Sequence, residues 1–359
     1  MVSTMMKGLA WACLLSAPAM LAQEGTRQPT TASEAPQRDT SYIDANGTAH
    51  VTRVIPVPQD LSPEAQKFIS RQLPDAAPPE DLATRRSRTD EWLAHSRVEW
   101  TKLCPNTIDD TTMAGVPVRV VTPDPMPAAN RDKVLLNLHG GGFNTDSGSY
   151  AETIPIASYA GMKVVAVLYR LAPEHPFPAG LDDAVAVYKE LLKTYRPDHI
   201  VIYGTSAGAT MVAEMAVKLK QLGLPMPAAL GIFSSLDNFA RVGDSYAMYS
   251  LDGLSGPWAP PSGVHDAFYV GATDPKDPVL SPIYADPRGF PPTLFVSSER
   301  DALLSSTANL DRAYMQAGVD ARFVVFDALP HAFWYQAQMP EAIEANHMMA
   351  RFFVEELGK

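Results

Sequence analysis

The sequence predicts an α/β fold, a mostly parallel central sheet flanked by helices, on three observations. From residue 116 onward, apolar runs of strand length alternate with runs of helix length, the pattern of strands joined by crossover helices. One apolar run, His199-Ile200-Val201-Ile202-Tyr203, passes through Gly204-Thr205-Ser206-Ala207-Gly208 straight into a small-residue helix. A strand, a tight Gly-x-Ser-x-Gly turn and a helix together present a Ser hydroxyl at the edge of a sheet. Two later strands are followed by Asp301 and by His331, the residue types that activate such a Ser.

Taken in order, residues 1–22 read as a signal peptide, with Lys7 ahead of an apolar run ending in small residues. That run is too short for a membrane span, so no stable membrane insertion is expected, and export to the periplasm or medium is. Cys13 would leave with this segment, so the mature chain would keep only Cys104 and have no disulfide. Cys104 has no thiol-activating neighbour and reads as a small core residue. Residues 23–60, rich in Thr, Pro and Ala, read as a linker or extended arm.

A helical cap is expected over residues 61–110. Ser62-Pro63-Glu64 supplies an N-cap with Pro at the first helical position. The pattern runs toward Leu73, breaks at Ala76 to Pro79 and resumes over residues 81–100. The catalytic domain, residues 111–359, then predicts strands at 116–122, 134–138, 163–169, 199–203, 228–233, 293–297 and 321–326. Helices are expected at 150–160, 181–195, 207–218, 305–317 and 341–356. Between 238 and 278 the alternation lapses into a loop- and aromatic-rich insertion, a second candidate for covering the site.

Composition narrows the partners. The 359 residues are 46% hydrophobic and 19% charged, which allows a large core and excludes global disorder. A formal charge of −11 leaves no basic footprint for nucleic acid or an anionic membrane.

The remaining chemistry sits at predicted strand ends. His139-Gly140-Gly141-Gly142 follows the strand at 134–138, where glycines let backbone N–H groups point into a site without Cβ obstruction. A developing oxyanion needs such donors. No Lys-Ser/Thr follows, as a phosphate loop would require. His139 is tied to this loop and reads as an orienting residue rather than a base. Asp301 and His331 lie where ligands collect in open α/β sheets, and the order Ser206, Asp301, His331 belongs to one hydrolase fold. Glu299 is a rival acid two residues before Asp301, which is preferred. The other histidines (His50, His95, His175, His199, His265, His347) share no metal-ligand spacing, and neither a metal nor a cofactor is needed.

Several motifs in order resemble the hormone-sensitive-lipase-like (bacterial family IV) esterases of the α/β-hydrolase superfamily. They are His139-Gly140-Gly141-Gly142, the run from Tyr169-Arg170-Leu171-Ala172-Pro173-Glu174 through Ala179, and Leu181-Asp182-Asp183-Ala184. Gly204-Thr205-Ser206-Ala207-Gly208, Asp277-Pro278, Ser281-Pro282, Pro291-Pro292-Thr293 and Pro330-His331-Ala332-Phe333 continue the series. The resemblance implies an eight-stranded core with an N-terminal helical cap, acting on short-chain carboxylic esters without a cofactor. Carried over, Ser206 is the nucleophile, His331 the general base and acid, and Asp301 the orienting acid. The oxyanion donors fall on the N–H groups of Gly141, Gly142 and Ala207, and Arg170 and Glu174 on positions that hold the core together. Thr205 stands where many members carry Asp, as in a Gly-Thr-Ser-Ala-Gly subgroup. Ala302 and Ala332 replace a usual Pro and a usual Gly.

The expected partner is a small-molecule ester, and a homodimer is an oligomer the family allows. Two other readings use the same scaffold. One is an amidase or a xenobiotic-specific esterase, which shares the triad. The other is a non-catalytic receptor, as in the similar gibberellin receptors, which lack the His that is present here. Tyr246, Tyr249, Trp258, Phe268 and Tyr269 are candidates to shape the acyl and alcohol pockets.

Overall fold

The computed structural model describes residues 40–73, 80–256 and 267–359, so the signal-peptide segment, Cys13, the Pro-rich break and Trp258 lie outside the described residues. The chain divides into two units, residues 1–56 and 57–359.

In the first unit, β1 (Tyr42–Ile43) and β2 (Ala49–His50) form a small antiparallel hairpin within the expected linker. Asp44 closes its turn by accepting the N–H groups of Asn46 (2.8 Å) and Thr48 (3.0 Å), and Gly47 adopts φ +83°. An Asx turn needs only a few local residues, so the broadly polar composition concealed it.

The second unit opens with two helices, α1 (Pro63–Ile69) and α2 (Leu82–Leu103). Ser62 caps α1 through Ala65 N–H and is itself held by the Glu341 carboxylate at 2.7 and 2.8 Å. Then follow β3 (Asn106–Met113), β4 (Val116–Pro123), β5 (Val134–Leu138), α3 (Thr153–Ala160), β6 (Lys163–Val167), α4 (Ala179–Leu191), β7 (Ile200–Thr205), α5 (Ala207–Gln221) and β8 (Ala229–Phe233). The short helices α6 (Asp244–Met248) and α7 (Ala267–Val270) lie in the expected insertion. The chain closes with β9 (Thr293–Arg300), α8 (Leu304–Gln316), β10 (Ala321–Pro330) and α9 (Pro340–Glu356).

Among the described residues, the main sheet has eight strands in the order β10-β9-β8-β7-β5-β6-β4-β3. All pairs are parallel except β3–β4 and β4–β6. The central strands β5, β7 and β8 are buried throughout, as a sheet with helices on both faces requires.

One strand of the main sheet was not expected. β3 reads Asn-Thr-Ile-Asp-Asp-Thr-Thr-Met, and most of its side chains face solvent. An edge strand with one partner needs little apolar surface, so hydrophobic patterning misses it. It also corrects the cap boundary: α2 ends at Leu103, and residues 106–110 belong to the sheet. No helix of the described residues is long and apolar enough to cross a membrane.

Candidate active site

Strand register brings the singled-out residues to one edge of the sheet. Leu138 of β5 pairs with Gly204 of β7, so the His139–Gly142 loop leaves beside the Ser206 turn. Thr205 pairs with Phe233, and Phe233 with Val296 of β9. Pro330 pairs with Arg300, so the residues that follow, His331 and Asp301, leave adjacent strand ends side by side.

The Ser206 turn is strained, with φ +59° and ψ −121° at a residue that bears a Cβ. Its flanking glycines have steric reasons. A Cβ on Gly204 would lie 2.3 Å from the Leu138 carbonyl oxygen, and one on Gly208 would lie 1.8 Å from it. Only hydrogen at both positions lets α5 cross β5 this closely. Ser206 N–H donates to Phe233 O (2.9 Å), and Thr210 grips Ser206 O by its N–H (3.0 Å) and hydroxyl (3.1 Å). Thr205 is fully buried and accepts the Trp334 indole N–H at 3.1 Å. A hydroxyl thus accepts this bond at the position where the resemblance gives many members Asp.

Asp301 is fully buried, and its Oδ1 meets His331 Nδ1 at 2.9 Å. Leu303 N–H (2.8 Å), the Ser297 hydroxyl (2.9 Å) and the Ser234 hydroxyl also donate to it. Burial is the largest single influence and pushes its pKa up. The His331 charge and the hydrogen bonds from His331, Ser234 and Leu303 together outweigh that and hold the carboxyl below its ordinary value. Glu299 turns to Asp327 instead, and the hydrogen bond between these two carboxyls, followed by burial, raises its pKa. Of the two candidate acids, Asp301 is the one bonded to His331. Ser234 and Ser297 were not anticipated. The available signal was Ser234-Ser235 directly after an apolar strand that the sheet order sets beside β9.

The glycine loop is tightly wound. Gly141 has φ +129°, where a Cβ would fall 2.0 Å from Thr145 O, and Gly142 has φ +62°. Thr145 N–H (3.1 Å) and hydroxyl (2.9 Å) both donate to Gly141 O, which turns the amides the other way. Among the described residues the N–H groups of Gly141 and Gly142 have no acceptor. Ala207 begins α5, and its N–H is one of those a helix's own ladder leaves unbonded. His139 is buried, stacked on Tyr169 at 4.2 Å and turned toward Gly140 O (2.9 Å), as an orienting residue would be.

Behind the loop lies Glu152, which the sequence reading did not single out. Its carboxylate accepts Gly140 N–H (2.8 Å), the Tyr335 hydroxyl (2.6 Å) and Asn137 Nδ2 (2.8 Å). Burial pushes its pKa up to about 7 despite those three bonds. A carboxylate inside an otherwise apolar helix start has no local signature.

A cleft of about 400 Å³ joins these parts, within the range of small-molecule sites. Gly141, Gly142, Ser206, Ala207 and His331 line it, with Tyr246 and Leu251 from the insertion and Arg85, Arg88 and Thr89 from α2. Arg86 ties α2 down by donating to Asn144 O (2.8 Å), to Ala172 O (3.1 Å) and to both oxygens of Glu174. Arg170 chelates Asp183 at 2.8–3.0 Å and takes no part in the cleft. Of the other aromatics, Tyr269 is buried in a stack with Phe143 at 3.6 Å, and Phe268 is 67% exposed. Tyr249 does not line the cleft. Cys104 is free and fully buried.

Known proteins share this fold. The α/β-hydrolase fold family model matches residues 135–335. An acetyl-hydrolase of Streptomyces hygroscopicus is 30% identical over 237 residues, covering 65% of this chain and 79% of that protein. Among solved structures, esterase E25 superposes with a TM-score of 0.74 at 28% identity, covering 84% of this chain and 97% of that one. An esterase of the bacterial hormone-sensitive lipase family superposes with a TM-score of 0.72 at 30% identity, covering 82% and 99%. The chain belongs to the α/β-hydrolase fold family. Within it the chain falls among the bacterial hormone-sensitive-lipase-like enzymes, and it is a carboxylic ester hydrolase.

Proposed function

We propose that the chain hydrolyses short-chain carboxylic esters through an acyl-enzyme on Ser206. The observation that carries this reading is the buried Asp301–His331 pair, 2.9 Å apart, opening on the same cleft as the strained Ser206 turn. His331 removes the Ser206 proton as the hydroxyl attacks the ester carbonyl. The oxyanion that forms is bound by the N–H groups of Gly141, Gly142 and Ala207. Each such donor is worth about 3–4 kcal/mol of barrier lowering. His331 then hands its proton to the departing alcohol, activates a water, and the acyl group leaves as the acid. Asp301 stays ionised and fixes the imidazole tautomer, which agrees with a pKa held below the ordinary value.

The cleft volume of about 400 Å³ supports short acyl chains, because longer ones would have to leave it. Export through residues 1–22 belongs to the same reading, and the N-terminal sequence of the secreted protein would test it. The central test is hydrolysis of p-nitrophenyl esters of two to twelve carbons. Butyrate hydrolysis that disappears in S206A, and rates that fall beyond about eight carbons, support the proposal. Activity retained in S206A overturns it.

A further inference from the structure

The first two turns of α2 carry three arginines, Arg85, Arg86 and Arg88, and no acidic residue in the first turn. Cations at this end of a helix oppose its macrodipole, so local helix energetics do not account for them. Two of the three have carboxylates of their own. Arg86 is clamped bidentately by Glu174, and Arg88 by Glu80 at 3.0 and 2.9 Å. Arg85 has neither a hydrogen bond nor an ion pair from its guanidinium among the described residues, although it is partly buried.

Its position is specific. Arg85 lines the cleft together with Ser206 and His331, and its Nη2 lies 3.3 Å from where a Cβ on Gly142 would sit. The guanidinium therefore rests against the loop whose amides face the reacting carbonyl. No carboxylate is among the described residues lining the cleft. A partly desolvated guanidinium that makes no hydrogen bond or ion pair among the described residues, and feels Glu80 only at a distance, presents free N–H donors beside the reacting centre suited to a planar anion. The net charge of −11 works against an approaching anion at long range, but salt screens that field beyond about 10 Å, whereas contact with Arg85 is screened little.

Resting on the acyl-enzyme reading above, we infer that the cleft is specific for esters carrying a carboxylate a few bonds from the scissile carbonyl, with Arg85 as the residue that binds it. Hemiesters of short dicarboxylic acids are the acyl-side form of this chemistry, and esters of hydroxy- or phenol-carboxylic acids are the alcohol-side form.

The test compares kcat/KM within two pairs of substrates: mono-p-nitrophenyl succinate against p-nitrophenyl butyrate, and 4-carboxyphenyl butyrate against phenyl butyrate. The wild-type enzyme should prefer the charged member of one pair by about tenfold or more, the scale of a hydrogen-bonded charge pair. That preference should persist as salt rises from 0.05 to 0.5 M, because the contact with Arg85 is screened little while the long-range repulsion from the net charge of −11 is screened more. The charged-to-neutral ratio should fall about tenfold in R85Q and recover in part in R85K. A purely structural role of Arg85 would change both members of a pair alike and leave the ratio fixed. R196Q serves as the control, since Arg196 is paired with Asp198 and lies outside the cleft. Equal rates for charged and neutral esters in both pairs would overturn the inference, as would a ratio unmoved in R85Q or lost equally in R196Q. Failure of the acyl-enzyme reading is distinguishable, because it would appear as hydrolysis of the preferred ester retained in S206A, whatever the charged-to-neutral ratio.

Discussion

Replacing Glu152 with Gln should flatten part of the pH dependence of stability. In the fold this carboxyl is fully enclosed, and burial raises its pKa from 4.5 to about 7. In the unfolded chain it titrates near its ordinary value. Between those two pH values the native state holds a proton that the unfolded state has lost. The contribution of Glu152 is therefore greatest below pH 4.5 and is withdrawn as pH rises through 7. A shift of this size withdraws about 3 kcal/mol in all, and about 2–3 kcal/mol of it between pH 5 and 8. Gln has the same shape without a charge. Its oxygen can accept Gly140 N–H and the Tyr335 hydroxyl. Its NH₂ can donate to Asn137 Oδ1, which is buried without a partner in the native protein, once the Asn137 amide turns over. Urea unfolding of both proteins from pH 5 to 8 measures the effect. The stability of wild type minus that of E152Q should decline by about 2–3 kcal/mol across this range. Parallel pH profiles would refute the assignment of a neutral, proton-holding Glu152 behind the glycine loop.

Three further outcomes follow from the same geometry. D301N should lower kcat by about 10⁴, because an amide no longer fixes the His331 tautomer, while E299Q should stay within a few-fold of wild type in the same butyrate assay. S234A removes one donor to the buried Asp301 carboxylate and should cost about 1.5–3 kcal/mol in urea unfolding at pH 7. T205V strands the buried Trp334 indole N–H and should cost about 1–3 kcal/mol, whereas T205S, which keeps the hydroxyl, should cost less than half as much in thermal or urea unfolding.

What the sequence made legible was whatever depends on continuous patterns. The buried strands at 134–138, 200–205 and 229–233 announced themselves by predominantly apolar runs, and the Gly-x-Ser-x-Gly turn by its position between strand and helix. Asp301 and His331 stood out because each follows a predicted strand; Glu299 follows the same strand, and what separates the two acids is that Asp301 is bonded to His331 while Glu299 turns to Asp327. What stayed hidden depends on contacts between distant segments. Ser234 reaches Asp301 across 67 positions, and Trp334 reaches Thr205 across 129. Glu152 matters only because Gly140, Tyr335 and Asn137 converge on it. Polar β3 escaped notice for the opposite reason, since an edge strand buries too little to leave a pattern. Ala332 shows a milder conflict. It adopts φ +54° at the position where the family resemblance expects Gly, and a left-handed conformation costs a residue with a Cβ about 1–2 kcal/mol.

The central claim is that Ser206 is the atom donor to an acyl-enzyme. Labelling the protein with a p-nitrophenyl alkylphosphonate, followed by peptide mass mapping, tests it most directly. The phosphonyl group should be found on the peptide containing Ser206, in parallel with loss of butyrate hydrolysis, and S206A should remain unlabelled. A stoichiometric adduct on another residue, or full esterase activity in protein labelled at Ser206, would contradict the account.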